Sequence, residues 1–378
     1  MPENVSGPTG RIPVTLVTGF LGSGKTTLIN KALRTPRMAG TIVVVNEFGE
    51  VGIDHQLVAT STDQVMVLEN GCLCCTVRSD LIGTLNGLYH DRMAGRLPRF
   101  DNVVIETSGL AEPAPILQAF LSEPTLDGLY RIATVIATVD AINWQKTTEN
   151  YDEAVRQVAL ADRVLLTKLD MTPDPAEAER TLRRSLARLS PDADVIPVIE
   201  DPDEIALLLT QPGFDASNPD ADPRAWLKLP DAHAHDHDHD HHDHDHDHDQ
   251  PFGHLQARGV ESFVLRREEP LSRGELQFLL DGITQNLGPT LLRVKGLVNI
   301  AEEPGRPAII QGAQHLLHTM TWLARWPDSD ETTRVVFITQ GMPSAALREV
   351  IETLDRISTR TFKARERALQ LRGSDEHA

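Results

Sequence analysis

The sequence predicts an α/β protein with a doubly wound, mostly parallel sheet, followed by a smaller C-terminal α+β domain. Three observations carry this. Short runs that are apolar throughout alternate with longer amphipathic stretches over the first two hundred residues. A glycine-rich loop follows the first of those runs, between it and a helical stretch. The composition breaks near residue 213 into a segment of Pro, Asp, Asn, Gly and His before a second globular pattern begins.

The apolar runs are Val14–Val17, Thr41–Val45, Val65–Leu68, Val103–Ile105, Ile132–Val139, Val164–Thr167 and Val195–Val198. Continuous apolarity marks strands covered on both faces, as in a parallel sheet between helical layers. The stretches Lys25–Leu33, Ser79–Leu88 and Ala176–Leu189 read as helices between them. Such alternation places a ligand site at the carboxyl ends of the strands.

Past the break, Glu261–Leu265 reads as a strand. Ser272 and Glu275 have capping-box spacing, and open a helix whose apolar face is Leu276, Leu279, Leu280, Ile283 and Leu287. Leu291–Ile300 and Pro307–Gly312 flank a turn-rich Glu-Glu-Pro-Gly and read as a hairpin. Val335–Thr339 is a further strand, and a helix runs from Ser344 to about Leu354. The expected domains are residues 1–213, a linker over 214–258 and a C-terminal domain over 259–372.

Charge and cysteine usage narrow the function. The net charge is −19, but Asp231–Asp249 supplies eight acidic residues, and without them the body stands at −11. That balance argues against a nucleic-acid surface, which needs clustered Lys and Arg. No secretory signal or membrane-length apolar stretch is evident, so a cytoplasmic protein is expected. All three cysteines, Cys72, Cys74 and Cys75, lie within four residues, whereas a disulfide framework would spread them out.

Residues Gly19 to Thr26 fit G-x-x-x-x-G-K-[ST]. Gly19, Gly22, Ser23 and Gly24 shape a backbone nest for phosphates at a helix N-terminus. Lys25 reaches the β- and γ-phosphates, Thr26 offers a hydroxyl to Mg²⁺, and Thr27 continues the phosphate contacts. The strand 102–105 ends in Glu106, a second Mg²⁺ carboxylate, with Gly109 three residues on to offer its N–H to the γ-phosphate. Thr167, Lys168 and Asp170 follow another buried strand. An aspartate there accepts from guanine N1–H and N2–H₂, and adenine lacks that donor pair, so GTP is the expected nucleotide.

The C-x-C-C run can converge on one soft or borderline ion, with redox chemistry and simple packing as alternatives. Between Asp231 and Asp249 nine histidines alternate with aspartate, a composition that binds divalent ions and cannot build a core. It reads as a weak metal store or as a solvated spacer.

Taken in order, Gly19 to Thr27, Asn46-Glu47-Phe48-Gly49-Glu50, the cysteine triad, Glu106 to Pro113 and Thr167 to Asp170 resemble the CobW-type GTPases. These are relatives of the nickel-insertion GTPases of urease and hydrogenase maturation. Arg293-Val294-Lys295-Gly296-Leu297 is similar to the C-terminal domain of that family. The resemblance implies a GTP- and Mg²⁺-dependent metallochaperone for Zn²⁺ or Co²⁺, serving a client metalloprotein. It also implies a switch region that includes Asn46 to Gly49. Glu50 is the carboxylate expected beside the thiolates. Delivery of zinc, support of cobalt insertion and a metal store or sensor all fit the motifs, with the histidine tract leaning towards zinc. The client and any homo-oligomeric state are not encoded in these motifs.

Overall fold

The computed structural model describes residues 10–48, 65–70, 74–198, 200–211, 259–288, 290–313, 316–317 and 320–375. For 46–48, 65–70, 74–79, 316–317, 344 and 363–375 it describes the backbone alone. Contacts divide the chain into two compact units, Met1–Ala257 and Arg258–Ala378.

In the first unit the elements run β1 (Ile12–Gly19), α1 (Lys25–Leu33), β2 (Thr41–Phe48), β3 (Val65–Asn70), α2 (Cys74–Met93) and β4 (Asn102–Thr107). They continue with α3 (Ala114–Ser122), α4 (Pro124–Leu129), β5 (Tyr130–Asp140), α5 (Trp144–Asn150), α6 (Asp152–Ala159) and β6 (Arg163–Thr167). The last three are α7 (Pro175–Leu189), β7 (Asp194–Pro197) and α8 (Pro202–Thr210). Each predicted apolar run lies in a strand, except that Val198 falls one residue past β7, and α1 has the predicted bounds.

The seven strands are ordered β3-β2-β4-β1-β5-β6-β7, and every neighbouring pair is parallel. From β1 the chain goes outward to β2 and β3, returns as β4, and passes to β5 on the other side of β1. The strand order therefore reverses at β1, the place where open α/β sheets bind ligands. Because all strands run the same way, the loops after β1, β3, β4 and β6 share one edge.

Both faces are covered, as continuous apolarity requires. On one face Val17, Val43, Val45, Val104, Ile136 and Leu165 pack against Leu28, Ile29 and Ala32 of α1 and Ile205, Ala206 and Leu209 of α8. Leu81, Leu85 and Leu88, at helical spacing on α2, are also buried. Each such leucine contributes roughly 1.5–3 kcal/mol of burial. α2 extends beyond the predicted Ser79–Leu88 at both ends, and its last turn carries His90 and Arg92, which suit the negative end of a helix.

The second unit comprises β8 (Val260–Arg267), α9 (Arg273–Leu287), β9 (Leu291–Val298), β10 (Ala308–Ala313), the short β11 (Leu316–Leu317) and β12 (Thr321–Trp322), β13 (Thr333–Gln340) and α10 (Ser344–Asp375). Its sheet is antiparallel, ordered β11-β10-β9-β13-β8, with β12 also on β10. The predicted hairpin is β9–β10, closing with Val298 opposite Ala308. The capping box is made: Ser272 N–H donates to Glu275 Oε2 at 2.7 Å, and Glu275 N–H donates to Ser272 Oγ at 3.2 Å. All five predicted apolar residues of α9 are buried. One element differs from expectation: α10 continues to Asp375 rather than ending near Leu354. Its second half is too polar to show an apolar stripe, yet it contains no Pro and only one Gly to stop a helix.

Candidate nucleotide site

The loop from β1 to α1 is shaped by Gly19, Gly22 and Gly24, whose φ angles are 141°, 71° and 95°. Gly24 caps α1 in the left-handed conformation, which directs the first helical N–H groups towards the loop. Lys25 is only 7% exposed; its Nζ donates to the carbonyls of Gly19 at 2.8 Å and Phe20 at 3.3 Å. The ammonium is thus held over the nest by the loop's own backbone. Ser23 Oγ lies 2.6 Å from Thr138 Oγ1 of β5, which braces the loop from beneath. Gly22 and Thr27 are exposed.

The end of β4 meets this loop. Thr26 Oγ1 donates to Glu106 Oε1 at 2.5 Å, and Glu106 is 4% exposed. A hydroxyl and a buried carboxylate side by side form a hard-oxygen pair of the kind Mg²⁺ prefers, so these residues fit that ion. Gly109 packs directly on the phosphate loop: a Cβ there would lie 2.6 Å from Leu21 N and 2.8 Å from its Cα. Any larger residue would displace one segment or the other.

At the end of β6, Thr167 Oγ1 donates to the Ser23 carbonyl at 2.8 Å, and lies 3.2 Å from that of Val139. Its hydroxyl therefore ties the base loop to the phosphate loop. Lys168 has φ 60°, a left-handed value uncommon without glycine, and its Nζ donates to Asp140 Oδ2 at 2.7 Å. Asp170 sits on the 3-10 turn Leu169–Met171 and is exposed. The turn carries it to the rim of the loop, so it would be desolvated only under a bound base.

Sequence reasoning missed Asp140. It ends β5, is 9% exposed, and accepts from Ile142 N at 2.8 Å and Asn143 Nδ2 at 2.8 Å as well as from Lys168. The signal was there, since a lone carboxylate closing a long apolar run, three residues before an asparagine, is a turn-forming site. Burial alone would raise its pKa. The hydrogen bonds from Lys168, Asn143 and Ile142 outweigh that and hold it below the ordinary carboxylate range. A depressed folded pKa gives stability that is present above the unfolded value, about 3.9, and lost as pH falls through the folded value. Asp140→Asn is expected to cost about 2 kcal/mol at pH 7. In urea unfolding the gap from wild type should narrow below about pH 4; an equal gap at pH 7 and pH 3.5 would contradict this.

Glu50 and Cys72 lie outside the described residues. Cys74 and Cys75 open α2 directly after the β3 edge, with only their backbone described. No helix among the described residues is long and apolar enough to cross a membrane.

A glycine-rich loop at the switch point of a parallel sheet, an inward Lys, a Thr–Glu pair and a Thr-Lys-x-Asp loop define a P-loop nucleotide-binding protein with the GTPase fold. Residues 13–197 match the family model described as CobW/HypB/UreG, nucleotide-binding domain. Residues 260–354 match that of the cobalamin synthesis protein cobW C-terminal domain. The zinc chaperone YjiA of Escherichia coli is 33% identical over 340 residues, covering 89% of this chain and 96% of that protein. The zinc-regulated GTPase metalloprotein activator 1 of Dictyostelium discoideum is 26% identical over 332 residues, 78% of this chain and 64% of that one. Among solved structures, the Zn(II)-bound YjiA GTPase from E. coli superposes with a TM-score of 0.63 at 27% identity, covering 91% of this chain and 99% of the other. The chain belongs to the CobW family.

Proposed function

We propose that this GTPase is a cytoplasmic metallochaperone that takes Zn²⁺ on Cys72, Cys74 and Cys75 with Glu50, and yields it to a client metalloprotein when GTP is hydrolysed. The observation that carries the reading is the shared edge of the parallel sheet. α1 begins at Lys25 after β1, and α2 begins at Cys74 after β3. Three strand spacings, roughly 14 Å, separate those two strands. The positive end of α2 favours thiolate over thiol at its first residues, which suits ion capture at neutral pH.

GTP would lie with its phosphates on the N–H groups of Gly22 to Thr27. Lys25 would exchange two neutral carbonyls for phosphate oxygens, a charge-assisted bond about twice as strong. Thr26 and Glu106 would hold Mg²⁺, which offsets charge on the β- and γ-phosphates. Gly109 would offer its N–H to the γ-phosphate, while Lys168 packs on the base and Asp170 accepts from guanine. Thr167 serves by holding the base loop to the phosphate loop. Loss of the γ-phosphate releases Gly109, and with it the β4 end beside β2 and the cysteine edge.

The test is a single turnover of Zn²⁺-loaded protein, with a chromogenic chelator present. Zinc release is expected to keep pace with phosphate release. Zinc released at one rate whether or not GTP is cleaved would sink the reading.

A further inference from the structure

A buried amide on α6 has no part in the scheme so far. Gln157 is fully buried, and its Nε2 donates to the Gly109 carbonyl at 3.2 Å and the Ala111 carbonyl at 3.0 Å. The orientation of the amide follows from chemistry, because only its NH₂ end can face two carbonyls. Beside it, Arg156 pairs with Glu112. Two consecutive residues of one helix thus grip the segment 109–112 from one side. On the other side Gly109 lies against Leu21 of the phosphate loop.

The cost of this arrangement argues for its purpose. Gln157 Oε1 is buried with no hydrogen-bond partner among the described residues. An unmet buried acceptor is unfavourable, and an apolar side chain of the same length would fill the space without it. α6 is also anchored at its far end: Ala161 and Asp162 lead into β6, and Asp162 Oδ2 accepts from Val135 N at 2.9 Å. The helix is therefore a fixed post for the 109–112 segment to be held against.

We propose that Gln157 is a positioning residue for GTP hydrolysis, which sets the Gly109–Ala111 backbone so that the Gly109 N–H meets the γ-phosphate. The inference rests on the role given to Gly109 above. The bonds of Gln157 go to the Gly109 and Ala111 carbonyls, so it acts through the segment that meets the γ-phosphate.

Gln157→Met keeps the volume and removes the unmet oxygen. The Gly109 and Ala111 carbonyls lose their donor as the unmet oxygen disappears, so the variant's thermal midpoint is expected to stay within a few degrees of wild type. Single-turnover GTP hydrolysis should nevertheless slow roughly 10- to 100-fold, as expected of a misplaced contact. Mg-GDP affinity should stay within about twofold, since GDP lacks the phosphate that Gly109 meets. Gln157→Ala should show the same split between rate and GDP affinity. Hydrolysis at the wild-type rate in Gln157→Met, or a loss of GDP affinity equal to the loss of rate, overturns the inference. Gly109→Ala separates the two levels. Slow hydrolysis there with a normal Gln157→Met removes the inference alone, whereas a normal Gly109→Ala removes the reading it rests on.

Discussion

Changing Cys74 and Cys75 together to alanine is expected to weaken Zn²⁺ binding by roughly 10³-fold or more, about 4 kcal/mol. Two of three thiolates disappear, and neither Glu50 nor Cys72 can rebuild a tetrahedral sulfur-rich shell. The fold should survive, because α2 is anchored through Leu81, Leu85 and Leu88, well beyond its first turn. The variant must be compared in a chain lacking residues 231–249, whose nine histidines would otherwise take up the ion. Titration against a competing chelator reads the effect. Tight one-to-one binding in the double variant would place the ion elsewhere.

The second large effect is at the phosphate loop. Lys25→Met should lower single-turnover GTP hydrolysis about 10²- to 10³-fold, the range expected when a charged donor to a developing anion is removed. Methionine keeps the stem packing of a residue that is 7% exposed, so the loop should hold its shape. The donors to the Gly19 and Phe20 carbonyls are lost from the free protein. A rate within about threefold of wild type would mean that Lys25 stays on those carbonyls when GTP is bound.

What was legible in the sequence follows physical signal strength. The strands of the parallel sheet were readable because both of their faces are covered, leaving apolar runs with no polar interruption. α9 was readable from its capping box and apolar stripe. α5 and α6 were not, for they are short, and buried polar residues such as Thr148 and Gln157 break their apolar pattern. The phosphate loop was fixed by spacing alone. Asp140 was not, because Lys168 is brought to it by the pairing of β5 with β6, and the local turn to Asn143 does not by itself mark a site. The exposure of Asp170 was not legible, since exposure at a strand end depends on the turn that follows.

The central claim is that nucleotide and metal share one switch, and equilibrium linkage tests it most directly. Zn²⁺ affinity of the chain lacking 231–249 should be measured with Mg²⁺ and a non-hydrolysable GTP analogue, then with Mg-GDP. Tighter binding in the GTP state, by about 5- to 150-fold, is predicted, with an equal gain in analogue affinity when zinc is bound. Equal zinc affinity in the two nucleotide states would contradict the account.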